Sequence, residues 1–185
     1  MCDSCVPDVV SSLAAAGIRR TLEAVPRTPR SHLPADGIYH VTARGTGRER
    51  IFITDLDRLD FLDLFERAAR TADWTCHAWC LMTTHYHLVL ETPLARLSRA
   101  MHRLNTAYAL RFNRRHDRRG HLFESRFSSW VIRDEAHLGA TCDYVLGNPV
   151  RAGVSDHVGD WPWAGAAGAT AVSMSPRAAR EPRRR

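Results

Sequence analysis

The spacing of apolar residues between positions 37 and 147 changes repeatedly along the chain. Alternation at every second position is typical of strands with one buried face, and a repeat of three to four is typical of amphipathic helices. The resulting order of elements is β-α-β-β-α-β-α. A βαββαβ core predicts an α+β fold of the ferredoxin-like type, with a split βαβ, RRM-like antiparallel sheet and one additional C-terminal helix.

Cap and turn residues separate these elements. Thr54 stands before Asp55 and Asp57, which is typical of the start of a helix, and Pro149 ends the last one. The predicted strands are 37–44, 74–82, 85–91 and 128–133. The predicted helices are 55–71, 93–112 and 134–147, with a basic loop at 113–120.

Composition divides the chain into three parts. Residues 1–36 include a run rich in Pro, Arg and Ser and are predicted to be an extension and linker. Residues 37–165 carry the periodic pattern and form the predicted folded domain. Residues 166–185 lack apolar periodicity and are predicted to be a basic, disordered tail.

The positive charge is concentrated in one segment of the chain. The 26 basic residues exceed the 20 acidic ones by six, and all of them are arginine. Codon usage in a GC-rich genome accounts for the missing lysines, and the fit of guanidinium to phosphate is compatible with it. Residues 96–126 hold nine arginines against Asp117 and Glu124, a net charge of +7. This segment predicts an anionic partner such as nucleic acid.

The cysteines and the apolar runs indicate the compartment. Five cysteines without framework spacing favour a reducing cytosol. Cys2 and Cys5 form an isolated C-x-x-C, for which a frayed terminus is favoured over a zinc site. No run has the length of a membrane span, and the start of the chain lacks a signal-peptide pattern. We therefore expect a cytoplasmic protein that does not contact a membrane.

Two histidines separated by one residue are the sharpest local signal. His85 and His87 lie on a predicted strand, so both imidazoles project from the same face. Tyr86, Leu88 and Leu90 would then point to the other face and fill the core. Two imidazoles are half of a metal site. Solvated or hydrogen-bonded side chains are the alternative, since a chain with ten histidines contains such spacings by chance.

Tyr144 is a candidate nucleophile among the four tyrosines of the chain. Tyr86 is expected to face the core, and Tyr108 lies on the apolar stripe of a predicted helix. Tyr144 lies on the polar side of its helix, one turn before Asn148. A plain surface position is the alternative.

Five segments, taken in order, resemble the single-tyrosine HUH transposases and look most like the REP-associated tyrosine transposases. They comprise the first strand with its turn, the His-x-His strand, the basic helix and loop, the segment around Tyr144, and a Trp-Pro-Trp ending. The matching segments are 39–52, 80–88, 104–127, 144–153 and 161–163.

The resemblance implies an enzyme that nicks and rejoins hairpin-forming single-stranded DNA. His85 and His87 would hold a divalent ion, Mg²⁺ or Mn²⁺, with Asn148 as the third ligand. The Tyr144 hydroxyl would attack the scissile phosphate and form a 5′-phosphotyrosine link. Residues 37–165 would be the catalytic domain, and binding to single-stranded or hairpin DNA would place the protein at the nucleoid. A monomer and a homodimer are both open.

The basic segment and its flanking arginines are predicted to follow a phosphate chain. A solvated helix face would interleave acids at i+4, and the segment lacks them. Trp130 and Phe127 are expected to pack in the core rather than to stack on bases. The predicted DNA-binding residues are Arg44, Arg48, Arg96, Arg99, Arg103, Arg114, Arg115, Arg118, Arg119, Arg126 and Arg151.

Two other functions are open from the sequence. Thr83-Thr84 stands where the family commonly has Pro-Asn, Glu124 stands where Gln is usual, and Gly147 lies in the last helical turn. These differences permit a domesticated DNA-binding protein of the same fold that does not cut. An RNA-binding ferredoxin-like module is disfavoured because it would carry aromatic residues on its central strands, where this chain has His-x-His.

Overall fold

A computed structural model describes residues 36–166. The Cys2–Cys5 pair and nearly all of the predicted extension and tail lie outside these residues. None of the helices in the described part of the chain is both long and apolar enough to cross a membrane. The strands are β1 Asp36–Arg44, β2 Thr75–Leu81, β3 His85–Pro93, β4 Ser128–Ile132 and β5 Ala164–Ala166. The helices are α1 Asp55–Ala72, α2 Leu94–Arg115, α3 Glu135–Leu146 and α4 Asn148–Arg151.

The five strands form one antiparallel sheet in the order β4-β1-β3-β2-β5. β3 is central and pairs with β1 on one side and β2 on the other. α1 connects β1 to β2, and α2 connects β3 to β4, so each helix passes over a strand that lies between the two it joins. The α+β class and the order of the first seven elements are confirmed. α4 and β5 were not predicted.

Different helices cover the two faces of the sheet because side chains alternate along each strand. Tyr86, Leu88 and Leu90 are fully buried in the cluster that β3 shares with α1 and α2, as predicted. Val89 points the other way and packs in a second cluster with Val145 of α3. We call these the α1–α2 face and the α3 face. The alternation places His85 and His87 on the α3 face.

α2 carries the longest apolar stripe of the described chain. The predicted spacing of three to four residues is confirmed, and the helix continues to Arg115. The prediction of a loop at 113–120 is therefore wrong for residues 113–115, which belong to α2. Ion pairs between Arg115 and α1 stabilise this additional part of the helix. The buried residues of the stripe are Leu97, Met101, Leu104, Tyr108 and Phe112.

A buried carboxylate, Asp57, joins the start of α1 to the end of α2. Its Oδ2 accepts the backbone N–H groups of Ile53 at 2.9 Å and Thr54 at 2.8 Å. Its Oδ1 accepts Nη1 of Arg115 at 2.7 Å and lies 2.9 Å from Nε2 of His116. Burial alone would raise the pKa of Asp57, but these hydrogen bonds outweigh it and lower the pKa to about 2.

Replacing Asp57 with Asn is expected to lower the free energy of unfolding by about 3 kcal/mol, because Arg115 and His116 lose their charged partner. Since the folded-state pKa lies below the unfolded value of 3.8, the wild type should lose this stabilisation as the pH falls from 3.8 towards about 2. Urea unfolding at several pH values measures both effects.

The control is Asp63→Asn, which removes a partly exposed carboxylate of the same helix. Its unfolding free energy should change by less than about 1 kcal/mol. Parallel stability curves for the wild type and Asp57→Asn at acidic pH would contradict this account of the ion pair.

Candidate active site

Four side chains meet on the α3 face of the sheet: His40 of β1, His85 and His87 of β3, and Tyr144 of α3. The ring centroids of His85 and His87 are 5.0 Å apart. The ring of Tyr144 lies 5.8 Å from His87 and 6.0 Å from His40. The structure thus brings the predicted histidine pair and the predicted tyrosine into one cluster.

Tyr144 differs from the other tyrosines in its exposure. Tyr39, Tyr86 and Tyr108 are fully buried in the cluster on the α1–α2 face. Tyr144 is half-buried near the C-terminal end of α3. Of the four tyrosines in the sequence, it is the one that a substrate could reach beside the histidines.

Each histidine of the pair has a polar partner at Nδ1. Nδ1 of His85 lies 3.0 Å from Oγ1 of Thr84, and Nδ1 of His87 lies 2.9 Å from Nε2 of His40. Nε2 is then the nitrogen of each ring that can bind a ligand. Metal-binding histidines commonly bind through one nitrogen while the other bonds to a neighbouring group. The donor chemistry of this pair therefore fits a divalent metal ion.

The environment keeps these imidazoles neutral. Burial lowers the pKa of His40 to about 4, with a smaller effect of His137. Burial and the positive charge of Arg44 lower the pKa of His85 to about 4. Burial also holds the pKa of His87 well below its ordinary value, and the neighbouring imidazoles and guanidiniums lower it further. A neutral imidazole carries the lone pair that a metal ligand needs.

Asn148 begins α4, one turn after Tyr144. Its Nδ2 donates to the carbonyls of Tyr144 at 3.0 Å and Val145 at 3.4 Å, which closes the end of α3. Because a carbonyl only accepts hydrogen bonds, the amide of Asn148 must turn its NH₂ group towards these two carbonyls. Its Oδ1 therefore takes no part in these hydrogen bonds. Within residues 36–166, no three His, Cys, Asp or Glu side chains are grouped to hold a metal. A third protein ligand for the histidine pair would therefore be of another type, such as this amide.

Arg151 covers the ring of Tyr144. Its guanidinium carbon lies 4.3 Å from the ring centroid, and its Nη2 donates to the Tyr144 carbonyl. Gly147 allows this approach, since a Cβ at that position would lie 2.8 Å from Nη1 of Arg151. A glycine in the last turn of a helix is unfavourable in itself, and the packing of Arg151 against Tyr144 explains its presence at position 147.

The predicted DNA-binding arginines do not form one surface. Arg96, Arg99 and Arg103 line a groove between α1 and α2, on the face of the sheet opposite the histidines. Arg114 is exposed at the end of α2. Arg151 lies at Tyr144.

A second group lies where β1 ends and β3 begins. The turn after β1 is bonded to the loop after α2, since the N–H of Thr46 donates to the Leu122 carbonyl at 3.0 Å and its Oγ1 donates to the His121 carbonyl at 3.1 Å. These bonds bring four exposed arginines to the end of the sheet that holds His85. We call them the sheet-end arginines: Arg44, Arg48, Arg119 and Arg126.

Acidic residues from other elements neutralise part of the basic segment. The sequence showed that the segment lacks acids at i+4, and the structure adds acidic partners that α1 and the loops supply from elsewhere in the fold. Arg115, one of the predicted DNA contacts, forms ion pairs with Asp57 and with Asp60. Further pairs are Arg96–Asp73, Arg111–Asp60, Arg111–Asp63 and Arg118–Glu49.

Sequence reasoning missed His40 and misplaced one aromatic residue. Phe127 is buried as expected, whereas Trp130 is half-buried with its ring centroid 5.5 Å from that of His40. A signal for His40 was available, since Tyr39 and Val41 face the core and the residue between them must face the other way.

Comparison with known proteins points to one family. A family model described as "Transposase IS200 like" matches residues 35–148, which include the histidines, Tyr144 and Asn148. A curated Haemophilus influenzae protein, provisionally named a REP-associated tyrosine transposase, is 25% identical over 138 residues, 69% of this chain and 78% of its own. A solved REP-associated tyrosine transposase bound to a REP hairpin shares the fold, with a TM-score of 0.58 and 19% identity over 74% of this chain and 81% of that one. Because the family model spans most of the described chain, this protein belongs to the IS200-like transposase family.

Proposed function

We propose that this protein nicks and rejoins hairpin-forming single-stranded DNA through a 5′-phosphotyrosine intermediate at Tyr144. The observation that carries the proposal is a half-buried tyrosine whose ring lies 5.8 Å from one of two neutral imidazoles on the same face of the sheet. Membership of a transposase family and likeness to a tyrosine transposase bound to a REP hairpin support the choice of DNA substrate.

A divalent ion, Mg²⁺ or Mn²⁺, would be held by Nε2 of His85, Nε2 of His87 and Oδ1 of Asn148. When bound, such an ion polarises a phosphate oxygen and stabilises the negative charge that develops during transfer. The protein contributes a neutral, partly desolvated donor set whose Nδ1 atoms are already partnered.

Tyr144 supplies the nucleophile. Its phenolic oxygen forms a bond to the phosphorus while the bond to the 3′ oxygen breaks, and the leaving oxygen gains a proton as the phenol loses one. The products are a 5′-phosphotyrosine and a free 3′-OH, with no water consumed. A 3′-OH from the same or another end can therefore reverse the step and rejoin a strand. Arg151 places a positive charge over the ring of Tyr144.

The sheet-end arginines and Arg151 are the cations best placed to hold phosphates next to the scissile position. Arg44 is the direct partner of His85 in the register of β1 and β3. Contact with Arg96, Arg99 and Arg103 would require the hairpin to reach the α1–α2 face as well.

The proposed function also has implications for the fold type, the domain bounds and the location of the protein. β1, α1, β2, β3, α2 and β4 would form a ferredoxin-like core, since the order β4-β1-β3-β2 agrees with that pattern, and α3 would be the catalytic helix added to it. Residues 37–165 would be the catalytic domain, acting on DNA at the nucleoid in the cytoplasm.

The three differences from the family pattern, which leave open a protein that does not cut, each fit the structure around the site. Oγ1 of Thr84 partners Nδ1 of His85, and Gly147 lets Arg151 reach Tyr144. Glu124 is exposed, and its backbone N–H donates to the Arg44 carbonyl at 3.0 Å. A cutting enzyme is therefore better supported than a protein that only binds.

Incubation of the protein with Mn²⁺ and a labelled hairpin oligonucleotide is expected to give a covalent protein–DNA adduct that survives denaturing electrophoresis. Tyr144→Phe should reduce adduct formation by about 10³-fold or more, because it removes the nucleophilic oxygen. Tyr86→Phe is the matched control, since that hydroxyl donates to Oδ1 of Asn105 on the other face. An adduct that persists in Tyr144→Phe would exclude Tyr144 as the nucleophile.

The path of the DNA is tested by removing two charges from each face. Arg44→Gln with Arg126→Gln is expected to weaken hairpin binding and to reduce the slope of log affinity against log salt by about two. Arg99→Gln with Arg103→Gln removes the same charge from the opposite face and should change neither quantity. Equal losses in the two double variants would show that DNA contacts both faces.

A further inference from the structure

We infer that His40 is a positioning residue that keeps a proton on Nδ1 of His87 and so leaves the Nε2 lone pair of His87 free to bind a metal ion. The inference rests on the proposed function and deepens it, because it names the residue that selects the metal-binding form of His87.

The register of the sheet places the two side chains together. Thr42 is the direct partner of His87 in the β1–β3 ladder, so His40 lies two residues further along on the same face. Nε2 of His40 is 2.9 Å from Nδ1 of His87. Their ring centroids are 5.1 Å apart and the rings are inclined by only 24°.

One hydrogen bond between two neutral imidazoles allows two arrangements of the protons. If His40 donates from Nε2, then His87 carries its own proton on Nε2, and that nitrogen cannot bind a metal. If His87 donates from Nδ1, its Nε2 keeps a lone pair and His40 carries its proton on Nδ1. Only the second arrangement is compatible with His87 as an Nε2 ligand.

The neighbouring charged groups give no support to the first arrangement. The guanidiniums of Arg44 and Arg151 both act on the His87 ring. A guanidinium only donates hydrogen bonds, so neither of them would accept a proton carried on Nε2 of His87. Within residues 36–166, no carboxylate makes a hydrogen bond or an ion pair with His87 that would favour the opposite form.

His40 is itself held in place. Its ring centroid lies 5.5 Å from that of Trp130 and 6.0 Å from that of Tyr144. Its Nε2 is committed to His87, so it acts through that residue rather than as a further ligand.

The first measurement reads the tautomers directly. Long-range ¹H–¹⁵N correlation spectra of the full-length, metal-free protein report which nitrogen of each imidazole is protonated. We expect protons on Nδ1 of both His40 and His87. A proton on Nε2 of His87 in the wild type would overturn the inference.

The second measurement is the affinity for Mn²⁺ without DNA, by calorimetric titration. His40→Leu removes the acceptor and should weaken Mn²⁺ binding by about 10- to 100-fold, with His87 then showing both tautomers. His40→Gln retains a carbonyl acceptor and should recover most of the affinity, whereas His102→Leu, an exposed residue of α2, should have no effect. Equal Mn²⁺ affinity in the wild type and a folded His40→Leu would also overturn the inference.

These outcomes are separable from those of the proposed function. The expected tautomers and Mn²⁺ affinities without any DNA adduct would contradict the nuclease proposal and leave the role of His40 intact. If His40→Leu does not fold, the wild-type spectrum and His40→Gln still decide the question.

Discussion

The alternation of side chains along β3 is the constraint on which the rest of the structure depends. One set of positions, Tyr86, Leu88 and Leu90, is fully buried against α1 and α2 and anchors the strand at the centre of the sheet. The other set presents His85 and His87 to α3. A shift of one residue in the pairing of β3 would exchange the two sets, so the core that stabilises the fold also fixes the position of the histidine pair.

The site combines this rigid strand with the end of a helix. α3 delivers Tyr144 above the histidines, and Asn148 and Arg151 both donate to the Tyr144 carbonyl. The same three residues would supply the nucleophile, a metal ligand and a positive charge in the proposed reaction. Burial keeps the imidazoles uncharged, so that they can act as metal ligands. Removing these polar rings from water is unfavourable for the stability of the fold.

Periodicity predicted the elements that bury a regular apolar face, and it failed where contacts between distant segments decide the structure. β5 has the sequence Ala-Gly-Ala, which shows no strand pattern and forms only by pairing with β2. The last residues of α2 and the pairing of Arg115 depend on acids of α1 that lie 55 and 58 positions away in sequence. The alternation around His40 indicates which face of the sheet it lies on, but its contact with His87 depends on the pairing of β1 with β3. The pair His85 and His87 could be predicted from the sequence because both residues lie on one strand and their spacing alone places them on one face.

The central claim, that Tyr144 is the residue joined to DNA beside this histidine pair, is tested most directly by mass spectrometry of the covalent adduct. Trypsin cleavage after Arg133 and Arg151 releases residues 134–151, in which Tyr144 is the only tyrosine. The account predicts that this peptide carries a nucleotide linked through its 5′ phosphate to Tyr144. Linkage to any other residue, or through a 3′ phosphate, would contradict it.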